Sequence, residues 1–277
     1  AGGIPKAKVF MVIANRIYKG RGDRFMSSQT LLDSDLGKLI LQNFDEVSAN
    51  SFQYLIEGSA AIRARIEAAG GQVRYSAYGY HGTEILQGGG YQWQTYTNYT
   101  QGYAKMRLER IAQDAWAQGI KATVYNCPEI RTNSTDVFAG VELPLISLLH
   151  ALKHEGGGAW ADAQWQACRD LLADGHSLEE VLQKVADFHA SEVMQGYRDF
   201  AAWPMPNSPA QADLTIGTSD AIAEMHKDRK ALVTDLLSTL VLEATGPLIL
   251  RESSAPAGPV LWLNHDIIAQ QLNQLHA

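Results

Sequence analysis

The chain has 277 residues, 46% hydrophobic and 19% charged, a balance that supports a full buried core and excludes an intrinsically disordered chain. Its formal net charge is −7, from 23 Lys and Arg against 30 Asp and Glu, which argues against a long phosphate-binding track, so no nucleic acid partner is expected. Two cysteines, Cys127 and Cys168, cannot build a disulfide framework, and no apolar stretch, Val233 to Ala244 included, reaches the roughly 20 residues of a membrane span.

From Lys8 to Asn15 a short apolar run predicts a buried first strand, ended by the loop Lys19-Gly20-Arg21-Gly22-Asp23-Arg24. Asp35 to Val47 places Leu36, Leu39, Ile40, Phe44 and Val47 at helical spacing, with Ser34 or Asp35 as the N-cap. Ser51 to Glu57 has two readings. It is a second strand followed by a helix from Ser59 to Gly70, or part of one helix from Phe52 to Ala69 that tolerates Gly58.

Val73 to Tyr80 reads as a strand that delivers His81-Gly82. After it, residues 87–99 form a Gly-, Tyr- and Gln-rich loop, long and irregular enough to suggest function. Gly102 to Gln118 is a helix by its Tyr103, Met106, Leu108, Ile111, Ala115 pattern, and Ile120 to Asn126 is a strand that delivers Cys127. Past Cys127, four segments carry helical periodicity: Val141 to Lys153, Trp160 to Ala173, Leu178 to Tyr197 and Ser219 to Ala244. Pro247 to Leu250 and Pro259 to Leu263 are the candidates for the last strands, before a final helix from Asp266 to Leu275.

The fold class expected from this order is α/β, a mostly parallel sheet with flanking helices and a C-terminal helical lobe. Residues 1–138 make the α/β core and residues 139–277 the lobe. The chain begins Ala1-Gly2-Gly3 without Met, consistent with removal of an initiating residue, signal or tag; a cytoplasmic location is expected, with secretion or a periplasmic location left open.

His81 and Cys127 each come directly after a strand, and parallel strands bring the residues past their carboxyl ends to one shared edge, where ligands collect. An imidazole within reach of a thiol generates a nucleophile near neutral pH. With His-Gly after one strand and Cys after the next, and Tyr78-Gly79-Tyr80-His81-Gly82-Thr83 as an aromatic approach, residues 8–127 resemble the caspase-like cysteine peptidases. That resemblance implies a hydrolase of peptide or protein substrates that needs no cofactor and no metal. Cys127 would be its nucleophile and His81 its proton carrier, with the N–H groups of Gly82 and Cys127 facing the oxyanion. It also implies an arginine from the loop after the first strand, Arg16, Arg21 or Arg24, to read an acidic side chain, while Asp23 or Glu84 would favour a basic one.

Two other readings stand beside it. The Gly/Arg loop 19–24 suits the phosphate of a nucleotide or another phosphorylated small molecule, although it is neither a Walker motif nor a dinucleotide fingerprint. The aromatic loop 88–99 suits a non-catalytic contact surface. His150 and His154, at i, i+4, share a helix face, but no third metal ligand is identifiable.

Overall fold

Arg74–Gly79 (β1) runs parallel to Lys121–Asn126 (β4), and β4 pairs in parallel on its other side with Val260–Trp262 (β5). The computed structural model describes residues 19–79, 82–95, 101–131, 140, 142–196 and 207–277; the expected first strand, Lys8 to Asn15, lies outside them. The fold is α/β, with a parallel sheet, flanking helices and a helical region between β4 and β5.

β4 is central among these strands, and it shows in its sequence. Ala122, Val124 and Tyr125 are buried, as a strand covered on both faces requires. Of the irregular loop expected at residues 87–99, residues 87–95 belong instead to an antiparallel hairpin, Gly82–Gln87 (β2) and Gly90–Thr95 (β3), and 96–99 lie outside the described residues. Gly88 and Gly89 both take positive φ, at 60° and 84°, which a two-residue turn compatible with strand twist demands.

Before β1 lie Ser28–Leu32 (α1), Asp35–Asp45 (α2), a π-helical segment Glu46–Asn50, Ser51–Gly58 (α3) and Ala60–Ala68 (α4). The side chain of Ser34 accepts from Gly37 N at the start of α2, so the expected N-cap is in place. Ser51 to Glu57 is helical and not a strand, because Phe52 and Ile56, at i, i+4, are its buried pair. Gln101–Ala117 (α5) crosses from the hairpin to β4 and covers the sheet with Leu108, Ala112 and Ala115.

Between β4 and β5 come Glu142–Ile146 (α6), Leu148–His154 (α7), Ala159–Arg169 (α8), Leu178–Ala190 (α9), Glu192–Gln195 (α10), Pro209–Glu224 (α11) and Val233–Ser254 (α12); His265–Leu275 (α13) comes after β5. A reciprocal pair of bonds starts α9: Glu180 N donates to Ser177 Oγ, and Ser177 N donates to Glu180 Oε2. Of the two runs proposed as last strands, Pro259 to Leu263 contains β5, whereas Pro247 to Leu250 belongs to α12. α12 is long and apolar enough to cross a membrane by length and composition, yet Leu237, Val241, Ala244 and Leu248 bury one face of it in the helical core.

His226 ties the end of α11 to the start of α12. Its Nε2 accepts from Val233 N at 3.2 Å, which leaves the proton on Nδ1 to donate to Ile222 O at 2.7 Å. Burial holds its pKa below the ordinary 6.5. The neutral ring is therefore the one the fold selects, and its contribution is complete above pH 6.5 and is lost as pH falls below that value toward the folded-state pKa. Urea midpoints are expected to drop on acidification from neutral pH, and to drop less in His226→Gln; an equal drop in both would remove His226 from the account.

Candidate active site at the carboxyl edge of the sheet

β1 and β4 end level, with Gly79 opposite Asn126. Cys127 N donates to Gly79 O at 2.9 Å, and Leu263 N donates to Asn126 O at 2.8 Å, so β5 closes the same edge. Ligands of parallel α/β sheets bind outside the carboxyl ends of the strands.

Lys105 is the unusual residue here. It lies on the buried stripe of α5, three positions before Leu108, and is only 8% exposed. Its Nζ donates to Tyr78 O at 3.1 Å, which fixes the charged end at the tip of β1. Burial lowers its pKa from 10.5 to about 8, and the neighbouring Cys127 opposes the shift. A cation is thus held out of water where a ligand would lie. One turn further along α5, Glu109 Oε1 accepts from Asn126 Nδ2 at 2.6 Å.

Two further polar pairs border the edge. Glu129 and His265 are buried together, with Oε2 and Nε2 3.8 Å apart. Asn264 clasps the hairpin: its Oδ1 accepts from Glu84 N at 3.1 Å, and its Nδ2 donates to Glu84 Oε2 at 3.1 Å. Sequence reading singled out none of Lys105, Glu109, Asn126 or His265. A lysine on the apolar stripe of an amphipathic helix was the available signal.

Of the residues read from the sequence, Cys127 does sit at this edge, half-buried, with Sγ 3.7 Å from Tyr125 O. Burial pushes its thiol up to about 11 despite Lys105, and Cys168 up to about 12. Neither cysteine is a ready thiolate, and alkylation by iodoacetamide at neutral pH is expected to be slower than for free cysteine in solution. Fast, stoichiometric labelling of Cys127 would contradict this. His81 and Arg16 lie outside the described residues.

Gly82 begins β2, where a Cβ would stand 2.3 Å from Gln94 O and 2.6 Å from Trp93 Cζ2, so the hairpin itself requires glycine there. Glu84 is turned to Asn264. Arg21 pairs with Asp220 of α11 at 3.3 Å, and Arg24 ends an exposed turn. Within the aromatic segment, Tyr91 OH donates to Glu155 Oε1 at 2.9 Å and Trp93 meets Trp262 edge-on at 4.8 Å, so both rings hold the hairpin to the rest of the fold. His150 stacks on Trp165, and His154 Nδ1 lies 2.8 Å from Glu155 Oε1.

Comparison with known proteins decides among the readings. Residues 1–272 match the family model described as enoyl-acyl carrier protein reductase FabMG. Among solved structures, the chain is similar to the apo structure of FabMG, called a novel type of enoyl-acyl carrier protein reductase, with 74% identity and a TM-score of 0.94. It is also similar to the NADH-bound structure of FabMG, with 67% identity and a TM-score of 0.84. All of this chain is covered in both, and it spans 62% of the first and 68% of the second. No curated protein matches it.

These matches overturn the caspase-like resemblance, the cysteine hydrolase and the peptide or protein substrate that came with it. The phosphorylated-ligand and contact-surface readings do not agree with them either. Strand and helix in alternation, with polar residues at strand ends, is an architecture shared by unrelated α/β proteins, so it carried no information about the chemistry.

Proposed function

Because this chain belongs to the enoyl-acyl carrier protein reductase FabMG family, we propose that it reduces the double bond of a 2-enoyl thioester carried on acyl carrier protein, with NADH as reductant. The family match over residues 1–272 carries the reading, and the NADH-bound relative supports the choice of cofactor. At the carboxyl edge of the sheet a buried cation, Lys105 Nζ, is held against the tip of β1, which suits a reaction that develops negative charge.

When bound, NADH supplies a hydride to the β-carbon of the enoyl group. Negative charge then moves toward the thioester oxygen, and the α-carbon must gain a proton. Lys105 meets the first need, since a fixed ammonium away from water stabilises a developing oxyanion far better than one in bulk solvent. With its pKa brought down to about 8, it remains protonated at neutral pH and holds a proton that can be given up. The Nζ bond to Tyr78 O keeps it in place without neutralising it. We place the reaction in the cytoplasm, where carrier-protein thioesters and NADH are both at hand.

The test is to mix the chain with NADH and a crotonyl thioester. One NADH should be consumed for each double bond reduced, with the saturated acyl thioester identified by mass spectrometry. No NADH loss and no saturated product would overturn the reading.

A further inference from the structure

Glu129 lies in the irregular segment, residues 127–131, that leaves β4 at the carboxyl edge, and His265 is the first residue of α13, just past β5. The Glu129 and His265 side chains are 1% and 0% exposed. Among the described residues neither carboxylate oxygen and neither ring nitrogen has a hydrogen-bond partner, and Oε2 and Nε2 stand 3.8 Å apart. Their setting is apolar. Cys127 and Ile130, which flank Glu129 in sequence, and Leu263 and Ile268, which flank His265, all pack in the helical core. Taking a carboxylate and an imidazole out of water costs more than a pair at this separation returns, and well-packed apolar side chains would be at least as stable there. Stability alone does not account for the pair.

Its place in the chain offers another role. The segment starts beside the buried lysine: Cys127 N donates to Gly79 O at 2.9 Å, next to the Tyr78 O that holds Lys105 Nζ. It ends where Arg131 N donates to Ser238 Oγ at 2.7 Å and the Arg131 guanidinium pairs with Asp235 at 3.1 Å. Glu129 stands between those two anchors. His265 is itself tied to the edge, because Leu263 N donates to Asn126 O and Asn264 clasps Glu84. With no regular secondary structure from 127 to 131, the path of the segment depends on such ties.

We propose that Glu129 and His265 are positioning residues: sharing one proton, they form a neutral buried pair that fixes the segment after β4 against α13 and so keeps the chain beside Lys105 in place for the reaction. This rests on the reading of the chain as an NADH-dependent reductase. Neither residue has to touch a ligand. A displacement of about 1 Å at a site is enough to lower turnover by about two orders of magnitude, even when its cause lies away from the chemistry.

The test replaces both residues by apolar ones, Glu129→Met together with His265→Leu, and reads melting temperature, hydrogen exchange and turnover of a crotonyl thioester with NADH. The double variant should melt at or above the wild-type temperature, whereas His265→Leu alone, which leaves a buried carboxylate unpaired, should melt about 10 °C lower. The amides of Glu129 and Ile130 should nonetheless exchange about tenfold faster in the double variant, with those of α9 unchanged, and kcat should fall about 10–100-fold. Glu129→Met alone leaves an imidazole that can stay neutral, and it should show the same exchange and turnover if the double variant does not fold.

Wild-type exchange or wild-type turnover in the double variant would overturn the inference, because a pair that serves stability alone is dispensable once the apolar replacement is stable. If the wild-type chain reduces no thioester, the reductase reading falls, and the exchange measurement still decides whether the pair holds the segment.

Discussion

Replacing Lys105 by methionine is expected to lower kcat for enoyl reduction by about 10²–10³-fold, the range seen when a group that stabilises developing charge is removed. The side chain keeps a similar length and stays on the buried stripe of α5, so the lost element is the ammonium that Nζ places beside Tyr78 O. The same substitution is expected to stabilise the fold at neutral pH. Folding takes the lysine pKa from 10.5 to about 8, so between those values the unfolded chain binds more protons than the folded one, and stability rises with pH. Below that window the fold carries a cost on the order of 3 kcal/mol. Urea unfolding at pH 7 and again near pH 10 should show this rise in the wild type and its absence in Lys105→Met. Unchanged turnover in the variant would remove Lys105 from the reaction.

Leu237→Ala is expected to cost about 2–5 kcal/mol, the range for truncating a leucine in a core that cannot collapse around the gap. Leu237 has no exposed surface and lies on the face of α12 that meets α6 and α13, alongside Val241, Ala244 and Leu248. Leu242 is the internal control. It projects from the other side of the same helix and is 58% exposed, so Leu242→Ala should change stability by less than about 0.5 kcal/mol. Denaturant midpoints at constant slope distinguish the two. Similar losses at both positions would mean that helix propensity, and not burial, sets the stability of α12.

Much of this framework was legible because the signals are local. The apolar run before Cys127 became β4, the cap at Ser34 was recognisable, and the run from Pro259 did return to the sheet as β5. Pro247 misled because proline in a helix sacrifices a hydrogen bond; here it lies on the exposed side of α12, and the packing of the opposite face outweighs that loss. The hairpin was hidden by Gly88-Gly89-Gly90, which reads as disorderly until two of the three are seen to be the turn itself. The site was less legible still. The pattern assigned to α5, Tyr103, Met106, Leu108, Ile111 and Ala115, shares Leu108 and Ala115 with its buried stripe but misses Ala104 and Ala112, and Lys105 was passed over because a lysine does not count toward an apolar pattern. Asn126 carried no signal of its own, since its partner Glu109 lies on a different element.

The position of β5 also shapes how the chain must be made. Thr123 Oγ1 donates to Gly258 O across 135 positions of sequence, and the β4–β5 ladder continues from there. During synthesis one edge of β4 therefore remains open until nearly the whole chain has emerged, after every helix from α6 to α12. Closing a loop of that length is slow relative to local helix formation, and an apolar strand left open is a template for pairing with another nascent chain. Yield of folded protein should thus be governed by growth temperature and chaperone supply more than by thermodynamic stability, and a stop codon placed before Val260 should produce aggregate in place of a shortened folded chain.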